Sequence, residues 1–213
     1  MKFVYYAKQL WLGLVARSSA DYWERRYRAG LSSGSGSYDE LAHYKAQVLN
    51  EFVREHAIQD VIELGCGDGN QLTLARYPRY LGLDVSSSAV DLCAKRFRDD
   101  ASKSFLWYDP QRTLRLASFV GADLVVSLDV IYHLLEDETY RAYLRDLFSM
   151  SRRFVIIYSS NRDERPHVRH VRHHKFTDDV ARDFPQFQLR QHLSNPHAAR
   201  TFADFYVFEK TSG

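Results

Sequence analysis

The sequence predicts a doubly wound α/β domain on a mostly parallel seven-stranded sheet whose last strand runs antiparallel. Three observations carry this. Short apolar runs alternate with stretches of helical periodicity, the pattern of strand–helix–strand units. The run at residues 123–128 is apolar on both faces, as a central parallel strand must be. The final two runs, near 187–193 and 205–210, have no clear helix between them, so the last strand is expected to reverse direction.

Residues 1–17 open with apolar and aromatic side chains, but Lys8 and Arg17 bound a run too short to span a bilayer. They are expected to form an amphipathic lead-in, packed on the domain or peripheral to it. Residues 21–28 (DYWERRYR) look helical, and 30–37 (GLSSGSGS) form a Gly/Ser loop. Residues 1–37 are therefore expected to form a lead-in, and 38–213 the main domain. Leu41, Tyr44, Val48 and Phe52 mark the apolar stripe of a helix over 38–55.

The run DVIEL at 60–64 is a buried strand, followed at once by the glycine-rich GCGDG of 65–69. A short helix is expected at about 71–76, then a strand over 80–84 that ends in Asp84. Ser86 or Ser87 caps the next helix, which carries Val90, Cys93 and Phe97 at helical spacing. Strands follow at 105–108, 123–128 and 154–158, with a helix near 138–150 that turns Tyr140, Tyr143, Leu144, Leu147 and Phe148 inward. Thr177 is placed to cap a helix running to Phe184, with Phe176 packing back onto it.

The chain has 213 residues, enough for one sizeable domain. Its net charge of +2 gives no strong drive toward nucleic acid or membrane. Cys66 and Cys93 do not make a disulfide framework, so a reducing, cytoplasmic compartment is expected. Composition does not decide the oligomeric state.

A glycine turn at the carboxyl end of the first strand lets a ligand approach the backbone, and an acid ending the second strand can accept hydrogen bonds from two ribose hydroxyls. The spacing from Gly65 to Asp84 suits both. A dinucleotide fingerprint needs G-x-G-x-x-G, but here the third glycine, Gly69, comes one place early and Asn70 stands in its position. Glu63, two residues before Gly65, would repel a pyrophosphate and tolerates a sulfonium and an amino group.

The segment ELGCGDG, Glu63 to Gly69, resembles the first motif of the class I S-adenosylmethionine-dependent methyltransferases, which share a Rossmann-like fold. The resemblance covers roughly residues 38–160. It implies S-adenosyl-L-methionine as cofactor, with Gly65, Cys66, Gly67, Asp68 and Gly69 around the methionine part and Asp84, with Val85 beside it, at the ribose. It implies Asp109 near the adenine amino group, Trp107 or Tyr108 flanking the ring, and Asp129 and Val130 beside the methionine end and the acceptor. Two readings stay open for Asp129, cofactor contact or helix cap, and for His133, general base or packed side chain. Tyr22, Trp23 and Tyr27 are either a lid over the cofactor, with Tyr22 touching it, or an ordinary aromatic face.

Residues 162–175 hold Arg162, Arg165, His167, Arg169, His170, Arg172, His173, His174 and Lys175. A solvated loop is the expectation for most of them, against an acidic-substrate contact for a subset. No metal is expected: adjacent His173 and His174 point apart, no cysteine accompanies them, and Asp129 with Asn161 makes a poor magnesium pair. Ser127-Leu128-Asp129-Val130 stands where a base amino-methyltransferase carries an Asn/Asp-Pro-Pro-aromatic motif. No Pro-Cys pair offers a thiol for pyrimidine methylation, and no RNA-binding module is recognisable. The leading expectation is an enzyme that methylates a small polar molecule, oxygen favoured, a sugar or natural-product-type metabolite among the candidates. The alternatives are a nucleic-acid methyltransferase and a non-catalytic cofactor-binding partner protein. A nicotinamide oxidoreductase is disfavoured by the displaced glycine.

Overall fold

The computed structural model describes residues 16–111, 118–164 and 170–211. The expectations for 1–15, and those for Arg165, His167 and Arg169, lie outside the described residues.

Seven strands form one sheet: β1 (Asp60–Leu64), β2 (Arg79–Asp84), β3 (Lys103–Trp107), β4 (Ala122–Leu128), β5 (Ser151–Ser159), β6 (Phe187–Leu193) and β7 (Asp204–Lys210). Their order is β3-β2-β1-β4-β5-β7-β6. The first five pair in parallel, and β7 runs antiparallel to both β5 and β6. The helices are α1 (Ser19–Arg28), α2 (Asp39–Glu55), α3 (Ser87–Arg96), α4 (Asp137–Ser149) and α5 (Phe176–Asp183).

Successive residues of a strand face opposite sides of the sheet, and the core divides accordingly. Ile62, Leu64, Val125, Val155, Ile157, Tyr206 and Phe208 pack with Tyr143, Leu147 and Phe148 of α4 and with Phe176 and Val180 of α5. Val61, Leu124, Val126, Ile156, Phe205 and Val207 pack with Leu49, Phe52 and Val53 of α2 and with Cys93 of α3. Each central strand thus feeds two cores, which explains why Leu124, Val125, Val126 and Leu128 are apolar on both faces of β4.

Several local expectations shift. The buried face of α2 is Leu41, Ala42, Lys45, Ala46, Leu49, Phe52 and Val53, and Tyr44 and Val48 only flank it. An apolar stripe read from hydrophobic residues alone passes over a buried lysine. Residues Gln71–Leu74 form a single 3-10 turn rather than an α-helix. Ser86, not Ser87, caps α3, accepting from the Ala89 N–H at 3.1 Å. Thr177 does not cap α5, which begins at Phe176; its hydroxyl instead bonds Asn161, the Asn161 amide donating at 2.8 Å. No helix among the described residues is long and apolar enough to cross a membrane.

Candidate active site

In an open parallel sheet, ligands bind beyond the carboxyl ends of the strands. Here β1 delivers Glu63 and the glycine turn, β2 delivers Asp84, and β4 delivers Asp129. Gly65 and Gly67 both adopt left-handed backbone, with φ of 91° and 58°. A Cβ on Gly65 would lie 2.4 Å from Val130 Cγ2, and one on Gly67 would lie 2.4 Å from Ser33 Oγ. The turn therefore needs glycine for conformation and for space.

Asp84 fixes that turn. One carboxylate oxygen accepts the Gly67 N–H at 2.9 Å and the other accepts the Ser86 N–H at 2.9 Å. Burial still dominates its charge and pushes its pKa up to about 6, because a carboxylate loses hydration there. Glu63 is buried beside it and accepts the Tyr80 hydroxyl at 2.6 Å. Burial raises it to about 7, partly opposed by Tyr80 and by the charge of Lys45.

A cavity of about 650 Å³ runs over these groups. Following the strand order, Asp84, Val85, Trp107 and Asp109 border it at the β2–β3 end, and Glu63, Lys45 and Asp129 border it at the β1–β4 end. At the first end the Trp107 indole N–H donates to the Val85 carbonyl at 2.9 Å, which holds a half-exposed ring at the cavity. At the other end Lys45 Nζ donates to Asp129 at 2.6 Å, and Tyr132 donates to the second Asp129 oxygen at 2.7 Å. Asp129 itself has a φ of 61°, a left-handed conformation that costs a non-glycine residue on the order of 1–3 kcal/mol. The Tyr143 hydroxyl of α4 donates to the Leu64 carbonyl at 2.9 Å and lies 2.7 Å from Ser127 Oγ, whose hydroxyl can donate to it, bracing the ends of β1 and β4.

α1 and the loop after it cover the cavity and are fastened at three points. Ser19 bonds the Glu136 carboxylate through its N–H at 3.0 Å and its hydroxyl at 2.7 Å. Glu24 accepts from the Ser86 and Ser88 hydroxyls at 2.7 and 2.8 Å. The following loop is tied by Ser33 N–H to Asp68 at 2.8 Å and by Asp68 N–H to Ser33 Oγ at 3.0 Å. Trp23 meets His133 edge-on, with ring centroids 4.9 Å apart.

His133 borders the cavity. Its Nδ1 lies 2.8 Å from the His170 carbonyl. A carbonyl can only accept, so Nδ1 carries the proton and Nε2 keeps its lone pair. Burial lowers the pKa of this histidine to about 4, so the ring is neutral at physiological pH.

Residues 62–153, which include most of the glycine turn's strand, Asp84 and the β4 site, match the family model described as a methyltransferase domain. The chain's sheet order and fold are those of the class I methyltransferases. Its fold is similar to that of the magnesium protoporphyrin IX methyltransferase of Synechocystis with bound S-adenosylhomocysteine, at TM-score 0.66 and 16% identity over 90% of this chain and 98% of that one. It is similar to the N-methyltransferase NodS of Bradyrhizobium japonicum, in complex with the same ligand, at TM-score 0.66 and 16% identity over 92% and 100%. It is also similar to an O-methyltransferase family protein of Burkholderia thailandensis, at TM-score 0.65 and 14% identity over 92% and 60%. No curated protein matches the chain.

Of the residues expected at the site of the methyltransferase domain, Glu63, Gly65, Cys66, Gly67, Asp68, Asp84, Val85, Tyr108, Asp109, Asp129, Val130 and His133 border the cavity. Tyr22 and Gly69 do not. Tyr22 is turned away, its ring stacked on His170 at 5.0 Å, and its neighbours Trp23, Glu24 and Tyr27 face the cavity instead. Gly69 makes room for α3: a Cβ there would lie 2.9 Å from Cys93 Sγ. The Tyr108 ring is mostly core, its hydroxyl donating to Asp146 at 2.6 Å, so the exposed aromatic face at this end belongs to Trp107. Contact with Cys93, together with burial, holds the Cys66 thiol protonated.

The basic segment is less solvated than expected. His173 and His174 are buried. His173 Nδ1 lies 2.6 Å from Ser160 Oγ, while Arg162 lies 3.1 Å from its other nitrogen. His174 donates from Nε2 to the Leu134 carbonyl and stacks on Tyr140 at 3.9 Å. Arg172 pairs with Asp137 and Lys175 with Asp178. Among the described residues no three His, Cys, Asp or Glu side chains are gathered to hold a metal ion.

Proposed function

We propose that the chain binds S-adenosyl-L-methionine in this cavity and transfers its methyl group to a small polar molecule, with oxygen the favoured acceptor atom. One observation carries the reading: Asp84 holds the glycine turn through Gly67 while bordering the cavity between Trp107 and the Glu63–Lys45–Asp129 end. This arrangement offers an aromatic face and a carboxylate for an adenosine, and charged groups for an amino-acid tail. Glu63 and Asp84 favour a cationic ligand over an anionic one. Residues 16–37 act as the lid over it.

Transfer from a sulfonium is an in-line displacement. An acceptor oxygen lone pair forms the new bond to the methyl carbon, and the carbon–sulfur electron pair stays on sulfur as a neutral thioether. The hydroxyl proton passes to His133 Nε2 and then to solvent. Most of the rate comes from alignment and exclusion of water, which the fastened α1 supports. Trp23, Val130, His133 and Leu134 also line the cavity, and we take them as its acceptor side. The internal pairing of Arg172, Lys175, His173 and His174 also weighs against a nucleic-acid acceptor.

Calorimetry with S-adenosylhomocysteine tests the cofactor, and methyl transfer from labelled donor to a panel of hydroxylated, amino and nucleic-acid acceptors tests the reaction. Binding of NAD without binding of S-adenosylhomocysteine would sink the reading. Tight binding with no turnover on any acceptor would favour a non-catalytic partner, and transfer to RNA with steep salt dependence would favour the nucleic-acid alternative.

A further inference from the structure

Lys45 is the only fully buried lysine among the described residues, and it stands in the cavity wall. An ammonium has three N–H donors. Among the described residues, Asp129 is its one hydrogen-bond partner, and the Tyr158 ring centroid lies 5.2 Å from Nζ. Two donors of a buried cation therefore lack a protein acceptor, a costly arrangement unless something else supplies one. Glu63 and Asp129, the acids near this cation, border the same part of the cavity. The loop after α1 passes directly over the pair, where a Cβ on Gly36 would lie 2.8 Å from Asp129 Oδ2.

We infer that Lys45 is the residue that recognises the α-carboxylate of the cofactor's amino-acid tail, with Glu63 and Asp129 facing its ammonium. The inference rests on the cofactor reading above. Its logic is charge alternation. With an adenosine placed along Asp84 and Trp107, the tail extends over β1 and β4, where one cation lies between two acids. A zwitterion is the ligand that satisfies all three. Its carboxylate takes the open Lys45 donors, and its ammonium takes the acids. A neutral tail would leave the lysine donors unmet, and a purely anionic one would meet Glu63 and Asp129 unfavourably. Lys45 is a positioning residue in this scheme, because fixing the tail sets where the sulfonium sits beneath α1.

The test is calorimetry with two ligands, S-adenosylhomocysteine and 5′-methylthioadenosine, the latter lacking the amino-acid tail. Lys45→Met should weaken S-adenosylhomocysteine by about 10- to 100-fold, as loss of a charge-assisted bond does, and leave methylthioadenosine affinity unchanged. Lys45→Gln keeps a donor for Asp129 and serves if the Met variant does not fold; it should show the same selective loss. The wild type alone gives a third readout: the decarboxylated analogue of S-adenosylhomocysteine should bind it more weakly than the parent, and the two should bind Lys45→Gln equally. Equal weakening of both ligands in the variants, or indifference of the wild type to the carboxylate, overturns the assignment. A wild type that binds neither adenosyl ligand overturns the cofactor reading itself.

Discussion

His133 gives its Nδ1 proton to the carbonyl of His170 across 2.8 Å, and this single bond fixes which ring nitrogen is left to take a proton. If the acceptor is a hydroxyl, His133→Ala should lower turnover by about 10²–10⁴-fold with little change in cofactor affinity. The pH profile should differ from that of an ordinary histidine. Its pKa is lowered to about 4, so the ring stays neutral through the weakly acidic range and the acid limb assigned to it should fall near pH 4 rather than 6.5. Near-normal turnover in a well-folded variant removes His133 from the chemistry.

Asp84 gives a second pH effect, of opposite sign for the fold and for the ligand. Its pKa is raised to about 6, so its protonated form suits the empty protein; that stability is present below the unfolded value of 3.8 and declines as pH rises through about 6. Glu63, raised to about 7, behaves alike. Ribose hydroxyls donate to the ionised form, so S-adenosylhomocysteine affinity should increase as pH rises through this window, with net proton release on binding. Calorimetry in buffers of differing ionisation enthalpy measures that release directly, and its absence would refute the linkage.

Asp84→Asn separates ligand binding from loop support better than Asp84→Ala. The alanine removes the acceptors of Gly67 and Ser86 as well as the ribose contact. The asparagine keeps the shape and one acceptor but lacks the charge, and a charge-assisted bond contributes roughly 1.5–3 kcal/mol. A folded Asp84→Asn protein with undiminished affinity would contradict the ribose assignment.

Glu24→Ala should loosen the lid. It removes the acceptor of the Ser86 and Ser88 hydroxyls and of the Ser88 N–H. The sheet is untouched, so the loss of stability should be about 1–2 kcal/mol. The main effect should be faster ligand release, followed in stopped flow through the fluorescence of Trp23 in the lid. Unchanged release would mean that the Ser19–Glu136 and Ser33–Asp68 ties suffice alone.

Gly67→Ala should abolish cofactor binding before it unfolds the domain. The new methyl would collide with Ser33 Oγ and lie 2.9 Å from the Tyr27 hydroxyl, while the backbone stays at a φ of 58°. Circular dichroism should report an intact sheet while calorimetry reports no ligand heat.

The fold was legible because its main signals are local. Strand β4 carries its double burial in its own six apolar and small residues, and the interval from Gly65 to Asp84 encodes the turn and the acid together. The lining of the cavity was legible where the strand ends supply it, at Glu63, Gly67, Asp84 and Asp129. Lys45 was hidden because a lysine within an apolar helical stripe reads as a flank residue until its partner, 84 positions away, is known. Tyr22 was misplaced for a similar reason: three aromatics on one short helix share a composition, and only packing against His170 decides which turns from the cavity. His173 and His174 read as solvated because their partners, Ser160 and Leu134, are backbone-proximal groups that no charge pattern announces.

Strand β7 is hydrogen-bonded on both sides, to β5 and to β6, although it comes last of the seven in the sequence. A chain emerging from the ribosome must therefore display two unpaired strand borders, one on β5 and one on β6, until residues 204–210 arrive between them. Synthesis order and spatial order conflict at this one place. Until β7 docks, the unpaired borders of β5 and β6 are open to strand-pairing with neighbouring chains, so the last pairing to form is also the one that protects the sheet from aggregation.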